Sequence, residues 1–188
     1  MPDLGPLIIV TPEMNRRALA IADGILEARR QAGTNRPAFG RGGDRWLEFV
    51  GAITDIICRR SIGDLSWPVV IGGNDPGWDF RLDDGRAVNA KGTDYVPEGI
   101  KALESPPRLM HEARMELKAD LYWLAQVYGA IRERCIVRTG RVLGGASRER
   151  MAKAIVQQAG TSGMKCTNRV IYAPDLTALN DMLRNGGA

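Results

Sequence analysis

The chain has 188 residues, of which 44% are hydrophobic and 26% charged, and its formal net charge is +4 at pH 7. This composition excludes collagen, coiled-coil, disulfide-scaffold and wholly disordered proteins. The length suits one domain that buries roughly two-thirds of its unfolded surface. The mild basicity permits a nucleic-acid partner without requiring one.

Three separated cysteines and one histidine limit the chemistry that the chain can carry. Cys58, Cys135 and Cys166 form no local pair, and with His111 they give no zinc-ligand spacing. The sparse, odd count is typical of reduced thiols in a cytosolic protein. His111 follows a proline pair in a charged stretch, so we expect a solvated loop or helix-start residue rather than a member of a Ser-His-Asp triad.

The sequence carries no signal for a membrane. No apolar run approaches the roughly 18 residues that a membrane-spanning helix needs. The N-terminus lacks the basic region and the apolar core of a secretory signal. We therefore expect a cytoplasmic protein that has no membrane partner.

The first part of the chain predicts two helices. Thr11-Pro12-Glu13 is typical of a helix start, with a capping threonine, a proline at the first helical position and an acid in the first turn. This helix is predicted to end near Gln31. A second helix, capped by Asp44, is predicted to about Arg60 from the helical spacing of Trp46, Phe49, Val50, Ile53, Ile56 and Ile57.

The second predicted helix carries a narrow strip of small and acidic residues opposite its apolar face. The strip consists of Glu48, Gly51, Ala52 and Asp55. Small neighbours would let another element or a ligand come close to Glu48.

The rest of the chain alternates predicted strands with connections. Strands are predicted at 67–71, 78–82, 86–91, 121–128, 135–142 and 169–173. A polar connection spans 94–118 and is predicted to be helical from about Pro107. Further helices are predicted from Ser147 to about Ala159 and from Asp175 to Leu183. The order predicts a mixed α/β fold, with residues 1–43 as a helix and connector packed on the domain formed by 44–188.

The hairpin at 78–91 is the most informative segment, and its register decides which side chains share a face. A two-residue loop would mix apolar and polar side chains on one face. A three-residue loop places Asp79 opposite Asn89 and joins on one face the apolar residues Phe80, Leu82, Val88 and Ala90. Gly85 suits the left-handed position of such a loop. We therefore predict that the opposite face carries Asp79, Arg81, Asn89 and Lys91.

A carboxylate, an amide and a lysine on one face suit phosphate chemistry. Mg²⁺ prefers hard oxygen ligands and keeps several waters. A bound metal lowers the pKa of its water and neutralises charge that builds up on a phosphate. Lys91 would orient the water or stabilise the phosphorus centre. The alternative is a solvated strand face with a cross-strand ion pair.

These residues resemble the motif of the PD-(D/E)XK nuclease superfamily, which includes restriction endonucleases, junction resolvases and many phage and bacterial nucleases. The first acid of that motif matches Asp79, its (D/E)-X-K matches Asn89-Ala90-Lys91, and its helical glutamate matches Glu48. Residues 118–124 look like a later strand region of phage members. The resemblance runs in order over about 45–185 and is specific only over 78–93.

The resemblance implies a restriction-endonuclease-like core in which helices flank a mixed central sheet. It also implies Mg²⁺-dependent hydrolysis of phosphodiester bonds in DNA, with Mn²⁺ as a substitute. Asp79, Glu48 and Asn89 would hold the metal, and Lys91 would complete the catalytic set. An endonuclease, an exonuclease and a homodimer all stay open.

One residue departs from the family pattern. The superfamily has Asp or Glu where this chain has Asn89, so metal affinity should fall unless a helix carboxylate compensates. Glu48 or, less favourably, Asp55 would supply that charge. The alternative function is a catalytically weakened or inactive nuclease-fold protein that binds DNA or a protein partner.

Basic residues cluster at two places in the sequence. One group flanks the second helix and the other follows the strand predicted at 135–142: Arg41, Arg45, Arg59 and Arg60, then Arg138, Arg141, Arg148, Arg150 and Lys153. They are either phosphate contacts along a DNA path or solvated faces of a basic protein.

Overall fold

The structure is a computed structural model that describes residues 4–31, 45–68, 77–96, 104–160 and 166–185. Its helices are α1 (Pro12–Gln31), α2 (Arg45–Ser61), α3 (Arg148–Ala152) and α4 (Leu179–Asn185). Its strands are β1 (Ile8–Ile9), β2 (Phe80–Arg81), β3 (Ala87–Thr93), β4 (Arg108–Glu112), β5 (Leu121–Tyr128), β6 (Thr139–Ser147), β7 (Ile155–Gln157) and β8 (Asn168–Tyr172). Short 3₁₀ turns form at Arg132–Arg134 and Ala173–Asp175.

The strands form two sheets. A five-stranded sheet has the order β1-β6-β5-β3-β2, in which β3 and β5 are parallel and the other neighbours antiparallel. A three-stranded antiparallel sheet has the order β4-β8-β7. The predicted mixed α/β fold with a mixed sheet is therefore confirmed. The two long helices cover one face of the larger sheet, whereas the smaller sheet covers the other.

Helix α1 begins as predicted and packs on α2. Thr11 Oγ1 accepts a hydrogen bond from the Met14 N–H (3.2 Å), which satisfies a donor of the first turn. The buried residues of α1 recur every four positions, at Met14, Ala18 and Ala22. Residues 52–58 of α2 are all buried because α1 covers one side of this helix and the sheet covers the other. The predicted cap Asp44 lies outside the described residues.

Gly92 is the point where β3 meets α2. A Cβ on Gly92 would lie 2.1 Å from Oγ1 of the fully buried Thr54 and 3.0 Å from Val50 Cγ1. Gly92→Ala is therefore expected to destabilise the protein by about 1–3 kcal/mol. Gly51→Ala is the matched control, because nothing lies within 4 Å of that exposed helix position, and it should stabilise by about 0.5–1 kcal/mol. Urea denaturation measures both, and a Gly92→Ala variant of wild-type stability would contradict this tight contact.

Strand β4 replaces the helix predicted from about Pro107. Arg108–Glu112 pairs along its length with Asn168–Tyr172 of β8. Leu109 is fully buried while Met110 is exposed, which is the alternation of a strand. The helical prediction is therefore wrong. Pairing with the distant strand β8 satisfies the backbone here, and the preceding proline pair already favours an extended chain.

Several other predicted elements have different bounds in the structure, among them the helix predicted from Asp175, which begins only at Leu179. Strand β6 begins at Thr139, after a 3₁₀ turn and a left-handed residue, Cys135 (φ 49°). Ser147 caps a helix as predicted, accepting from the Arg150 N–H (3.2 Å), but that helix ends at Ala152 and β7 follows. Of the strand predicted at 67–71, the described residues 67–68 are irregular, and the others lie outside the described part.

Two general features complete the fold. Among the helices of the described ranges, none is both long and apolar enough to cross a membrane. The three cysteines of the chain are free, and Cys58 and Cys135 are buried.

Candidate active site at the β2–β3 hairpin

The hairpin has the predicted register. Phe80 pairs with Val88. The Gly85 N–H donates to the carbonyl of Leu82 (2.9 Å), and Gly85 has φ +86°, in the left-handed region that glycine adopts without strain. The loop therefore comprises residues 83–85, and the predicted three-residue closure is confirmed.

The two faces of the hairpin meet different surroundings. The apolar face packs into the core that contains α1 and α2, through Phe80, Leu82, Val88 and, half-buried, Ala90. The neighbours of Asn89 and Lys91 on β5 are Tyr122 and Leu124, which belong to the core beneath the smaller sheet. The predicted separation of apolar and polar faces is confirmed at these positions.

Asp79 lies where the β2–β3 ladder ends. Its N–H donates to the Val88 carbonyl (2.8 Å), and its Oδ2 accepts the Ala90 N–H (2.7 Å). The side chain thus takes the place of the next backbone acceptor that a longer β2 would have supplied. An exposed carboxylate is thereby fixed at the edge of the larger sheet, beside residues 88–90 of β3.

Asn89 is buried beside this edge and is incompletely paired. It is 8% exposed, and its Nδ2 donates to the Gly77 carbonyl (3.3 Å). Within the described residues its Oδ1 is buried and accepts no hydrogen bond. A buried polar atom without a partner costs about 1–3 kcal/mol. This orphaned oxygen is therefore a suitable ligand for a bound cation or water.

Lys91 follows two residues later and lines a cleft of about 490 Å³. One wall is the end of β3 with Tyr95, and the other is the segment from Ser105 to Met110 that leads into β4. No residue in the described ranges pairs with the Lys91 ammonium. Its charge is therefore available to a ligand that enters the cleft.

His111 also belongs to this face, although the sequence predicted a solvated residue. It lies half-buried on β4, with its ring edge-on to Tyr122 at 5.3 Å between centroids. Burial lowers the pKa of His111; the Glu112 carbonyl raises it, and the charges of Lys91 and Arg169 lower it further. The ring is neutral at pH 7, and its Nδ1 donates to that carbonyl at 3.0 Å. The sequence signal for this placement was only the proline pair before β4.

The structure does not bring Glu48 to Asp79. At the start of α2, Trp46 Nε1 donates to Asp94 beyond the end of β3 (2.9 Å), whereas Arg59 near the helix end donates to the carbonyl of Asp79 (3.1 Å). Glu48 precedes Arg59 by three turns, about 16 Å along the axis. Two ligands of one ion cannot be that far apart.

The carboxylates of α2 each have a partner from the chain itself. Glu48 forms an ion pair with Arg29 of α1. Asp55, two turns nearer to the Asp79 end, accepts from Arg59 Nε (2.8 Å), and the same guanidinium holds the Asp79 carbonyl. Burial raises the pKa of Asp55 to about 7 although Arg59 lowers it, and the charge of Asp79 adds to the rise. Asp55 is thus the α2 carboxyl whose pKa is raised by the charge of Asp79.

Asp79 and Asn89 are the predicted metal donors at the hairpin, where the Asp79 carboxylate accepts the N–H of Ala90, the residue after Asn89. In the described part of the chain no three His, Cys, Asp or Glu side chains converge as a metal site. Mg²⁺ keeps several waters and is often held by one or two carboxylates together with substrate phosphates. One fixed carboxylate and one orphaned amide oxygen fit such an ion, with a weaker affinity than two acids would give.

Most of the basic residues considered as DNA contacts are already paired. Ion pairs join Arg45 to Asp23 (2.6 Å), Arg59 to Asp55 (2.8 Å), Arg148 to Asp120 (2.7 Å) and Lys153 to Glu149 (2.5 Å). Arg150 donates to the Thr177 hydroxyl (2.6 Å), and Arg41 lies outside the described residues. These pairings favour solvated faces at both clusters and leave the cleft beside Lys91 as the better phosphate site.

Models of known protein families were compared with this sequence, and none matched it. A comparison with curated proteins also found no match. The resemblance to the PD-(D/E)XK superfamily therefore rests on the residues of the chain itself.

Proposed function

We propose that the protein is a Mg²⁺-dependent phosphodiesterase that acts on DNA and has a restriction-endonuclease-like core. The hairpin register is the observation that supports this proposal. It places Asn89 and Lys91 on the face of β3 opposite to Val88, next to the position where Asp79 accepts the Ala90 N–H. The cleft beside Lys91 supplies positive charge where a phosphate would lie.

Each residue has a role in this proposal. Asp79 and Asn89 would hold Mg²⁺, which lowers the pKa of a bound water and offsets charge on the phosphate. Lys91 stabilises the negative charge that grows on the phosphate oxygens in the transition state. Glu48 supports the fold through its ion pair with Arg29.

A second candidate function is DNA binding without cleavage. Asn89 brings no charge to the position where the superfamily has an acid, and the Arg59 guanidinium engages Asp55. In that case Asp79 ends the hairpin ladder, and the cations of the cleft bind phosphate without a metal.

The test is cleavage of fluorescently labelled single- and double-stranded DNA with Mg²⁺, Mn²⁺ or EDTA. Metal-dependent cutting by the wild type is expected. Asn89→Asp adds a full charge beside Asp79 and should raise metal affinity about tenfold or more. The rise in melting temperature on adding Mn²⁺ measures that affinity apart from activity.

The outcomes separate the two candidates. Cutting by Asn89→Asp alone supports the binding-only function. If neither protein cuts DNA and Mn²⁺ changes neither melting temperature, the hairpin is not a metal site and the nuclease proposal fails.

A further inference from the structure

The cleft beside Lys91 has walls from both sheets. Thr93 and Tyr95 extend from β3 on one side, and Ser105, Arg108 and Met110 lie at the start of β4 on the other. Its volume of about 490 Å³ lies within the range of about 300–1,000 Å³ for small-ligand pockets. A cleft of this size accepts a single nucleotide, whereas an intact double helix cannot enter it.

The charge of the cleft selects an anion. Among the described residues that line it are Lys91 and Arg108, and none of them is acidic. Arg108 makes only a long hydrogen bond to Gln157 (3.5 Å), and no carboxylate of the described residues pairs with either cation. The hydroxyls of Thr93 and Ser105 add neutral donors. Two cations with hydroxyl donors form a suitable phosphate site.

Tyr95 presents an exposed ring on a fixed backbone. It is 44% exposed, yet its carbonyl accepts from Gln126 Nε2 (2.6 Å) and its N–H donates to Thr93 Oγ1 (3.1 Å). Gln126 is itself buried and held by the Tyr128 hydroxyl (2.6 Å). An anchored tyrosine offers a large flat surface at low entropic cost, and nucleic-acid bases stack on such rings.

We propose that this cleft receives one unpaired nucleotide of single-stranded DNA, with its base stacked on Tyr95 and its phosphate between Arg108 and Lys91. This inference rests on the proposed function and narrows it. The substrate is a single strand, an overhang or a frayed end rather than an intact duplex.

The test is binding of a fluorescent single-stranded oligonucleotide and of the same strand in a blunt duplex, by anisotropy in EDTA. The single strand is expected to bind more tightly. Tyr95→Ala should weaken single-strand binding about tenfold, whereas Tyr95→Phe keeps the stacking surface and should bind as wild type. Arg108→Ala should weaken single-strand binding by a similar factor and should reduce the salt dependence of that binding.

Arg16→Ala is the matched charge control. Arg16 is exposed on α1, which packs on the opposite face of the larger sheet, so its loss should change binding by less than about twofold. Equal or tighter binding of the blunt duplex, or wild-type affinity in Tyr95→Ala, would overturn the inference while leaving the nuclease proposal to the cleavage assay. Tyr95-dependent binding of single strands, together with no cleavage in the assay with Mg²⁺ or Mn²⁺, would support the inference and refute the nuclease proposal.

Discussion

Replacing Asp79 by asparagine is expected to abolish metal-dependent cleavage with little loss of stability. Asparagine keeps an oxygen that can accept the Ala90 N–H (2.7 Å in the native hairpin), so the end of the β2–β3 ladder is preserved. The position is exposed, and the free energy of unfolding should change by about 0.5–1 kcal/mol or less. What disappears is the negative charge that would hold Mg²⁺.

Lys91→Ala tests the phosphate-binding part of the same site, as Asp79→Asn tests the metal-binding part. Loss of a preorganised positive group at a phosphate lowers turnover by roughly 100- to 1,000-fold. Single-turnover cleavage of a labelled oligonucleotide gives the rate, and thermal melting shows whether the fold is intact. The metal-induced shift in melting temperature should survive in Lys91→Ala and vanish in Asp79→Asn.

Asp83→Asn is the matched control for Asp79→Asn. Asp83 is an exposed acid in the loop of the same hairpin, so its replacement removes the same charge and should leave cleavage unchanged. Persistent wild-type cleavage in Asp79→Asn would refute the whole assignment, because this chemistry requires the first acid.

The parts of the site that local physics determines could be predicted from the sequence. Alternation of apolar residues and one glycine determine the hairpin register, because a one-residue slip would bury Asp79 and expose Phe80. The long apolar run of β5 and the caps at Thr11 and Ser147 are likewise local signals.

The parts set by contacts between distant segments could not be predicted. Periodicity identifies the apolar face of α2 but not the direction in which it crosses the sheet. That direction is visible only in pairings such as Trp46 with Asp94, 48 residues apart. It places Glu48 at the far end of the helix from Asp79. The same limit applies to β4, because its partner β8 lies near the end of the chain. This pairing brings His111 and Arg108 of β4 to the site.

Replacing Asp55 by asparagine is expected to change how stability depends on pH. Burial raises the pKa of this carboxyl to about 7, against an ordinary value of 3.8, and the Arg59 guanidinium at 2.8 Å offsets only part of the rise. Between these two values the unfolded chain has released a proton that the folded protein keeps. The unfolded state then binds fewer protons, so the free energy of unfolding falls as pH rises through this window and stays lowered above it.

The expected effect is large for one side chain. From about pH 5 to about pH 8 the wild type should lose about 3 kcal/mol on account of Asp55, at 1.36 kcal/mol per pKa unit. Asparagine does not titrate and can still accept from Arg59, so the variant avoids this loss. Urea denaturation across that pH range should show the stability of Asp55→Asn rising relative to the wild type.

Asp64→Asn is the control, because Asp64 contacts the same Arg59 but its pKa is shifted in the opposite direction. Burial alone would raise its pKa, but hydrogen bonds from the Ser66 N–H (2.8 Å) and hydroxyl, together with Arg59, outweigh burial and lower it. Its stabilisation is present above the ordinary carboxyl pKa and is lost only in acid. Asp64→Asn should therefore lower stability equally at about pH 5 and about pH 8. An equally flat difference for Asp55→Asn would mean that its carboxylate stays ionised, and that the ion pair with Arg59 rather than burial governs the end of α2 beside Asp79.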